Sequence, residues 1–232
     1  FVSTKPLSVL VTGGAGYLGS IMVPALLARG HKVTVIDNFM YQQNSLAQCC
    51  ADPNFRVVKA DVRDQAAVES ECAKHDILIP LAAIVGAPAC KMRPDEATAV
   101  NLDAIRRIVD KVSADQMLLY PVTNSGYGIG KPDAMCTEES PLHPVSQYGI
   151  EKAEAERIIL ESGNAVTFRL ATVFGIAPRM RIDLLVNDFT YRAVYDRFVV
   201  LFESHFRRNY IHIRDVTNAF MFALDNYEAM KG

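Results

Sequence analysis

Short apolar runs alternate with helical patterns through the first three quarters of the chain. The apolar runs predict strands near residues 7–12, 32–36, 56–59, 77–83, 116–122 and 165–170. Between them, apolar residues recur at intervals of three and four, which predicts helices near residues 18–26, 65–73, 97–112 and 148–161. Apolar strands that alternate with helices indicate a parallel sheet covered on both faces. The pattern therefore predicts a doubly wound α/β fold.

The pattern changes at about Ala177. From there on the alternation is irregular, and aromatic residues and arginines become frequent. We therefore predict a first domain at residues 1–176 and a smaller lobe at residues 177–232.

Composition narrows the class of protein. The 232 residues are 50% hydrophobic, and 24 Lys and Arg against 26 Asp and Glu give a net charge of -2, which argues against a nucleic-acid partner. The longest apolar run, at residues 77–90, contains two prolines and is shorter than the roughly 20 residues of a membrane span. Five cysteines without a C-x-x-C pair and five scattered histidines predict no metal site and reduced thiols, hence a cytoplasmic protein.

A glycine-rich turn joins the first predicted strand to the first helix. It reads Thr12-Gly13-Gly14-Ala15-Gly16-Tyr17-Leu18-Gly19. We expect Gly13 to permit the tight turn, Gly16 to let the backbone approach a pyrophosphate, and Gly19 to let the helix pack closely against the sheet. The start of the helix adds free N–H groups and the positive end of its dipole.

Asp37 stands at the end of the second predicted strand, about 20 residues after the glycines. There a carboxylate accepts both ribose hydroxyls of NAD and repels the 2′-phosphate of NADP. The alternative is a plain glycine turn followed by an Asp that caps a helix, but strand, helix and acid together favour NAD. Asp61 is a weaker candidate for the adenine edge, because a helix N-cap explains it equally well.

This glycine spacing resembles the extended short-chain dehydrogenase/reductase family, whose nucleotide-sugar epimerase and dehydratase branch carries TGGAGYLG or a close variant. The resemblance covers nearly the whole chain and implies a Rossmann-like fold, an enzyme and NAD as cofactor. Leu81-Ala82-Ala83 matches the family's LAA segment, although Pro80 replaces a frequent His, and Asn101 matches a helix asparagine. The implied cofactor contacts are Gly13, Gly16, Tyr17, Leu18, Gly19, Asp37, Asn38, Asp61, Val62, Leu81, Ala82, Ala83, Asn101, Tyr148 and Lys152.

The family's catalytic pattern Tyr-x-x-x-Lys occurs three times, at Tyr127/Lys131, Tyr148/Lys152 and Tyr227/Lys231. The first contains two glycines and runs into Pro132, which predicts a turn, and no strand-end hydroxyl precedes the third. Only Tyr148/Lys152 opens a helical pattern, with one turn between the two side chains. An ordinary exposed helix pair is the alternative interpretation.

The chemistry explains these residue types. A tyrosine with a pKa near 10 is a poor base at neutral pH, and a lysine ammonium and an oxidised nicotinamide beside it stabilise the phenolate. The resemblance therefore implies Tyr148 as general base and Lys152 as its electrostatic partner, which also holds the nicotinamide ribose. Thr123 is the hydroxyl that orients the substrate.

Two positions depart from the pattern of the family's sugar 4,6-dehydratases. Those enzymes place acidic residues directly after the catalytic Thr, whereas this chain has Asn124 and Ser125, so water elimination is disfavoured. We expect oxidation at C4, by a dehydrogenase that releases the keto sugar or by a 4-epimerase that returns the hydride. The segments TNSGYGIG and CTEESPL most resemble GDP-D-glycero-D-manno-heptose 4-dehydrogenases of bacterial capsule pathways. That resemblance favours a GDP-sugar.

The resemblance also implies contacts to a nucleoside-diphosphate sugar, at Asn124, Ser125, Asn187 and Arg208. A solvated basic surface is the alternative for the arginine. Family members continue past a helix like the one that ends near Gly232, so we expect a fragment with an incomplete substrate lobe. The resemblance also implies a homodimer. A non-catalytic dinucleotide-binding protein is the other class, and Thr123, Tyr148 and Lys152 together argue against it.

Overall fold

The computed structural model describes residues 5–129, 136–202, 204–205 and 207–232. Six parallel strands form its main sheet in the order β3-β2-β1-β4-β5-β6. They are β1 (Ser8–Thr12), β2 (Lys32–Asp37), β3 (Phe55–Lys59), β4 (Ile77–Pro80), β5 (Met117–Thr123) and β6 (Ala165–Leu170). The strand order reverses between β1 and β4, and the crevice beyond the carboxyl ends at such a point is where these sheets bind ligands.

Helices cover both faces of this sheet. They are α1 (Gly19–Ala28), α2 (Gln65–Cys72), α3 (Ala87–Met92), α4 (Pro94–Thr98), α5 (Ala104–Val109), α6 (Gln147–Glu161), α7 (Leu185–Tyr195), α8 (Ile213–Asp225) and α9 (Tyr227–Met230). A second, parallel sheet pairs β7 (Thr172–Phe174) with β8 (Tyr210–His212). Within the part of the chain that the structure describes, no helix is long and apolar enough to cross a membrane.

The core has one layer on each face of the sheet, which explains why the strands are continuously apolar. Along β1, side chains point alternately to the two faces. Val9 and Val11 pack in the layer with Met22 of α1 and Phe220 of α8. Leu10 packs in the opposite layer, which the residues of α5 and α6 complete.

The predicted elements agree with the structure except in two places that border the cavity described below. The fourth strand ends at Pro80 rather than at residue 83, because the Leu81 N–H donates to Thr12 O (2.9 Å) and the chain then leaves the sheet. The predicted helix at 97–112 is interrupted: α4 ends at Thr98, a π-helical turn spans Ala99–Asp103, and α5 begins at Ala104. Both differences shape the loop and the helix that face the cavity.

The segment after residue 177 contributes to the main core. Val216, Phe220 and Met221 of α8 are buried in the same layer as β1. The Phe220 ring stacks on that of Phe168 in β6, with centroids 4.2 Å apart. The division into domains at 1–176 and 177–232 stays a prediction, although α8 joins the two parts through packed apolar side chains.

Candidate active site

A cavity of about 840 Å³ opens at the carboxyl ends of the central strands. The glycine turn, the loop after β4, the end of β5, the start of α6 and the segment 179–184 form its walls. The predicted site residues that line it are Gly13, Gly16, Tyr17, Leu18, Gly19, Asp37, Asn38, Asp61, Val62, Leu81, Ala82, Ala83, Thr123, Asn124, Ser125, Tyr148, Lys152 and Arg208. Asn101 and Asn187 are the two predicted residues that do not line the cavity.

Gly13 and Gly16 shape the turn that faces the cavity. Gly13 has a φ of +68°, and a Cβ there would lie 2.6 Å from the backbone of Ala82, so neither conformation nor space admits a side chain. The Gly16 N–H donates to Gly13 O (3.0 Å), and a Cβ on Gly16 would meet only that oxygen. The open side of Gly16 therefore lets a ligand approach the backbone closely.

The close packing of the turn against the sheet depends on Gly14 rather than on Gly19, which corrects the expectation. A Cβ on Gly14 would lie 2.7 Å from the Val35 side chain of β2. A Cβ on Gly19 would instead meet the backbone of Gly14, at 2.3 Å. Gly19 thus packs α1 against the turn, and Gly14 packs the turn against the sheet.

Asp37 places a buried carboxylate in the cavity wall. Its Oδ2 accepts from the Ala15 N–H (3.0 Å) and its Oδ1 from the Phe39 N–H (2.8 Å). Burial raises the pKa of Asp37, and these two backbone hydrogen bonds lower it. Each carboxylate oxygen still has a lone pair to offer, so Asp37 can accept ligand hydroxyls while it holds the turn.

Asp61 lies beside Asn38 at the same end of the cavity. The Arg63 guanidinium donates to both of its carboxylate oxygens (2.8 Å each) and holds the pKa of Asp61 well below its usual range, and Asn38 Nδ2 donates to it as well (3.0 Å). The side chain that caps α2 is Asp64, which accepts from the Ala67 N–H. The N-cap role, which was the alternative interpretation of Asp61, therefore belongs to Asp64.

Tyr148 and Lys152 lie one turn apart on α6 and face the cavity together. Ser146 starts the helix, because its hydroxyl oxygen accepts from the Gly149 N–H (3.1 Å). The Tyr148 ring packs against a small apolar cluster that includes Val62, Ile84 and Cys90. The Lys152 Nζ lies 3.8 Å from the centroid of the Tyr120 ring, which is fully buried beneath it.

Burial shifts both pKa values strongly. Burial raises the pKa of Tyr148 to about 12. Nearby Cys90 also raises this pKa, and the positive charge of Arg181 lowers it. Burial lowers the pKa of Lys152 to about 7, against the opposing influence of Glu156. Arg181 is therefore a source of positive charge that acts on the phenol in this structure. We had expected Lys152 alone among the protein groups in that role.

Thr123 ends β5 with its hydroxyl at the cavity. Its Oγ1 accepts from the Ser125 N–H (3.2 Å) and donates to Ser125 Oγ (3.1 Å). Asn124 Nδ2 donates to Asn209 Oδ1 (2.6 Å), which ties this wall to the segment just before β8. No carboxylate follows Thr123, so this wall offers hydroxyl and amide groups only.

The amides of Asn101 and Asn187 bind protein groups instead of the cavity. Asn101 is 1% exposed, and its side chain bonds to the backbone of Ile84. The Asn187 side chain accepts from the Gly175 N–H (2.9 Å) and donates to Arg181 O (2.9 Å). In this structure both amides thus position backbone beside the cavity, and the predicted contacts of these two residues with cofactor and diphosphate stay predictions.

Five residues of the cavity wall had no assigned role in the sequence analysis. The Arg179 guanidinium carbon lies 4.4 Å from the centroid of the Tyr41 ring, and Arg181 is fixed by a hydrogen bond from its Nε to Asp183 Oδ1 (2.7 Å). Gln43 Oε1 is buried and has no hydrogen-bond partner among the residues described. The paired arginines of the APRMR run were the only sequence signal for any of them.

Comparisons with known sequences agree with this geometry. Residues 9–232 match the NAD dependent epimerase/dehydratase family. The chain is 30% identical over 237 residues to a dTDP-glucose 4,6-dehydratase of Streptomyces niveus, which covers 93% of this chain and 68% of that protein. It is 28% identical to a UDP-glucose 4-epimerase of Corynebacterium glutamicum, which covers 97% of this chain and 73% of the relative.

Solved structures share the fold. A UDP-glucuronic acid 4-epimerase of Bacillus cereus, in complex with UDP-glucuronic acid and NAD, has a TM-score of 0.84 at 21% identity, over 97% of this chain and 76% of that one. A dTDP-glucose 4,6-dehydratase of Streptomyces venezuelae with NAD bound has a TM-score of 0.82 at 25% identity, over 94% and 72%. The predicted Rossmann-like α/β fold is confirmed.

Proposed function

Because this chain belongs to the NAD dependent epimerase/dehydratase family, we propose that it oxidises the C4 hydroxyl of a nucleoside-diphosphate sugar. The family membership confirms the expectation of an enzyme with NAD as its cofactor. By their names, the relatives above act on UDP- and dTDP-linked sugars, which supports a nucleotide sugar as the substrate class. None of them supports the GDP-heptose branch or a preference for GDP, so the base is left open.

The cavity fits NAD. Gly16 leaves its backbone open to a diphosphate, and the buried Asp37 carboxylate is placed to accept ribose hydroxyls. The unpartnered Gln43 Oε1 is a buried acceptor that a ligand donor would satisfy. Leu81, Ala82 and Ala83 form the opposite wall, and the small side chains of the two alanines leave room for a flat ring. NAD, when bound there, supplies the acceptor for a hydride.

The observation that carries the proposal is that Tyr148, Lys152 and Thr123 line the same cavity as the glycine turn. Thr123 can hold the sugar hydroxyl by a hydrogen bond while the Tyr148 oxygen takes its proton. The phenol is a weak acid in this structure, because burial raises its pKa to about 12. Positive charge from Lys152, Arg181 and the oxidised nicotinamide favours the phenolate and brings it toward working range.

The diphosphate of the substrate would bind among the arginines of the cavity. Arg179, Arg181 and Arg208 all line it, and each presents a planar guanidinium suited to phosphate oxygens. The Tyr41 ring and the Asp183 carboxylate hold Arg179 and Arg181 in place. The side chains on this wall are thus mainly cationic, which suits a nucleoside diphosphate.

After oxidation, the 4-keto sugar is either released or reduced again on its other face, which gives a dehydrogenase or a 4-epimerase. Both need the same base and cofactor, so the site supports both. Water elimination is less well supported, although one relative is a 4,6-dehydratase. Asn124 and Ser125 follow Thr123, and neither has an acidic proton with which to expel a hydroxyl.

The experiment is to mix the purified protein with NAD and a panel of UDP-, dTDP- and GDP-sugars. Reduced nicotinamide is followed by absorbance and the sugar by mass. A product two hydrogens lighter identifies a dehydrogenase, and an isomer of unchanged mass identifies an epimerase. Loss of water would contradict the interpretation of Asn124 and Ser125, and no turnover of any sugar would refute the proposal.

The matched variant is Tyr148→Phe. It removes one hydroxyl from the cavity wall and keeps the packing of the ring, so NAD should bind as in the wild type. Turnover should fall by about two to four orders of magnitude, the usual worth of a general base. Activity that survives this substitution would show that another group takes the proton.

A further inference from the structure

A buried hydrogen-bond network beside the cavity joins helix α6 to the loop after β4. Its centre is Glu151, which directly precedes Lys152 and is 4% exposed. Oε1 of Glu151 accepts from Thr98 Oγ1 (2.7 Å) and from Gln147 Nε2 (2.9 Å), and its Oε2 accepts from Asn101 Nδ2 (3.0 Å). Hydrogen bonds from three neutral side chains thus surround a buried carboxylate that does not line the cavity.

Asn101 extends this network to the backbone of the loop. Its Oδ1 accepts from the Ile84 N–H (2.8 Å), and its Nδ2 donates to Ile84 O (3.1 Å) as well as to Glu151. Only one orientation of the amide satisfies all three bonds. A flip would set its NH₂ against the Ile84 N–H and its oxygen against a carboxylate. Because Glu151 only accepts, it selects the orientation that holds Ile84.

Ile84 directly follows the loop that faces the cofactor side of the cavity. The backbone of Ala82 in that loop lies 2.6 Å from where a Cβ on Gly13 would be, so loop and glycine turn are in tight contact. The contact leaves no room for the loop to move toward the turn. A small shift of residues 81–84 would therefore change the width of the cavity between its two backbone walls.

We propose that Glu151 is a positioning residue for NAD. Through Asn101 it holds the backbone of residues 81–84 at the separation from the glycine turn that the cofactor needs. The proposal rests on the family's NAD dependence and is independent of which sugar reaction follows. It concerns binding, which can be measured without any sugar present.

The test is Glu151→Gln. In one orientation the new amide turns its NH₂ group toward Asn101 Nδ2, which then has no acceptor there. In the other orientation the NH₂ group faces Thr98 Oγ1 and Gln147 Nε2, which lose their acceptor. Either way, a buried donor is left unsatisfied. We expect NAD to bind about tenfold more weakly by titration calorimetry, because NAD must then itself hold residues 81–84 in place, at a cost comparable with one buried hydrogen bond to a charged group. The Ile84 amide should also exchange hydrogen faster in the protein without NAD.

The double variant Glu151→Gln with Asn101→Asp separates positioning from a general loss of packing. In it the introduced amide donates to the introduced carboxylate, whose other oxygen accepts from the Ile84 N–H. The introduced carboxylate also replaces the Nδ2 that donated to Ile84 O (3.1 Å). We therefore expect only partial recovery, to an NAD affinity about threefold higher than that of Glu151→Gln, which is the coupling that a direct contact pair shows. Asn101→Asp alone sets two carboxylates against each other and should bind NAD poorly.

Glu161→Gln is the control, because Glu161 lies on the same helix, is 61% exposed and pairs with Arg157 at the surface. Wild-type NAD affinity in Glu151→Gln, or a double variant no better than the single, would overturn the proposal. A lower melting temperature with unchanged affinity would also overturn it. If Glu151→Gln does not fold, Asn101→Asp alone takes its place, and unchanged NAD affinity there would have the same meaning.

Discussion

The two sides of the cavity are built from different chemical groups, which are backbone groups on one side and charged side chains on the other. On the cofactor side the walls are mostly backbone: Gly13, Gly16 and the loop of Leu81, Ala82 and Ala83, with few long side chains between them. On the substrate side the walls are the long cationic side chains of Arg179, Arg181 and Arg208. The Tyr41 ring holds Arg179, and the Asp183 carboxylate holds Arg181. The course of the backbone determines the shape of the cofactor side, whereas the positions of charged side chains determine the substrate side.

This difference predicts different responses to mutation. A backbone wall has no flexible end that can move aside, so an added atom must displace the chain itself. A guanidinium wall contains several cations at once, so the loss of one leaves the others in place. A single substitution on the cofactor side should therefore weaken ligand binding strongly, and one on the substrate side should weaken it less.

The largest effect is expected for Gly13→Ala. The new Cβ would meet the Ala82 backbone at 2.6 Å, in a residue whose φ of +68° already disfavours a side chain. Because both walls of the cofactor side must shift, NAD should bind about two orders of magnitude more weakly, as measured by titration calorimetry.

Gly163→Ala is the matched control. Gly163 has a similar φ of +70°, but nothing lies within 4 Å of its missing Cβ. We expect a loss of about 1 kcal/mol in the free energy of unfolding and unchanged NAD affinity. Equal losses of NAD affinity in the two variants would show that backbone strain, rather than the closeness of the two walls, sets the response.

A smaller effect is expected on the substrate side for Arg181→Gln. One of three cavity arginines is lost, so the KM for the nucleotide sugar should rise about tenfold, within the usual worth of a charged hydrogen bond. Arg181 lowers the pKa of Tyr148, so its removal raises that pKa. The limb on which kcat/KM rises with pH should therefore move to higher pH.

Arg192→Gln is the control for this variant. Arg192 lies on α7, is 52% exposed and pairs with Asp188 and Asp196 outside the cavity. It should change neither KM nor the pH profile. An unshifted pH limb in Arg181→Gln would show that Tyr148 does not sense this charge during turnover.

The same difference explains what the sequence could predict. Gly13, Gly16 and Asp37 follow from strand and helix periodicity, because each has a fixed place after a strand in this fold. Arg181 and Gln43 have no such place. Their positions depend on how irregular segments fold over the sheet. Only the structure shows that Asp183 holds Arg181 and that Gln43 Oε1 has no hydrogen-bond partner within the described part of the chain.

Some residues that the pattern identified have protein partners that the pattern does not show. Asn101 and Asn187 both lie beside the cavity, and both use their amides on backbone groups instead. A side-chain amide in a sequence shows that donors and acceptors are present, whereas its partners depend on distances that periodicity does not contain. The π-helical turn at Ala99–Asp103 is of the same kind, because nothing in the apolar pattern marks it.

The smallest effect is expected where a side chain, rather than backbone, serves the cofactor side. Asp61 is fixed by Arg63 and Asn38 at a partly open edge, and an amide there keeps one acceptor for them. Asp61→Asn should therefore weaken NAD binding only about threefold, since surface ion pairs contribute little. Asp37→Asn should weaken it about tenfold, because its NH₂ would face the N–H of Ala15 or of Phe39. Titration calorimetry should therefore give a larger loss of NAD affinity for Asp37→Asn than for Asp61→Asn. Equal losses would show that burial against backbone donors does not distinguish the two carboxylates. The contrast between backbone and side-chain walls would then not hold within the cofactor side.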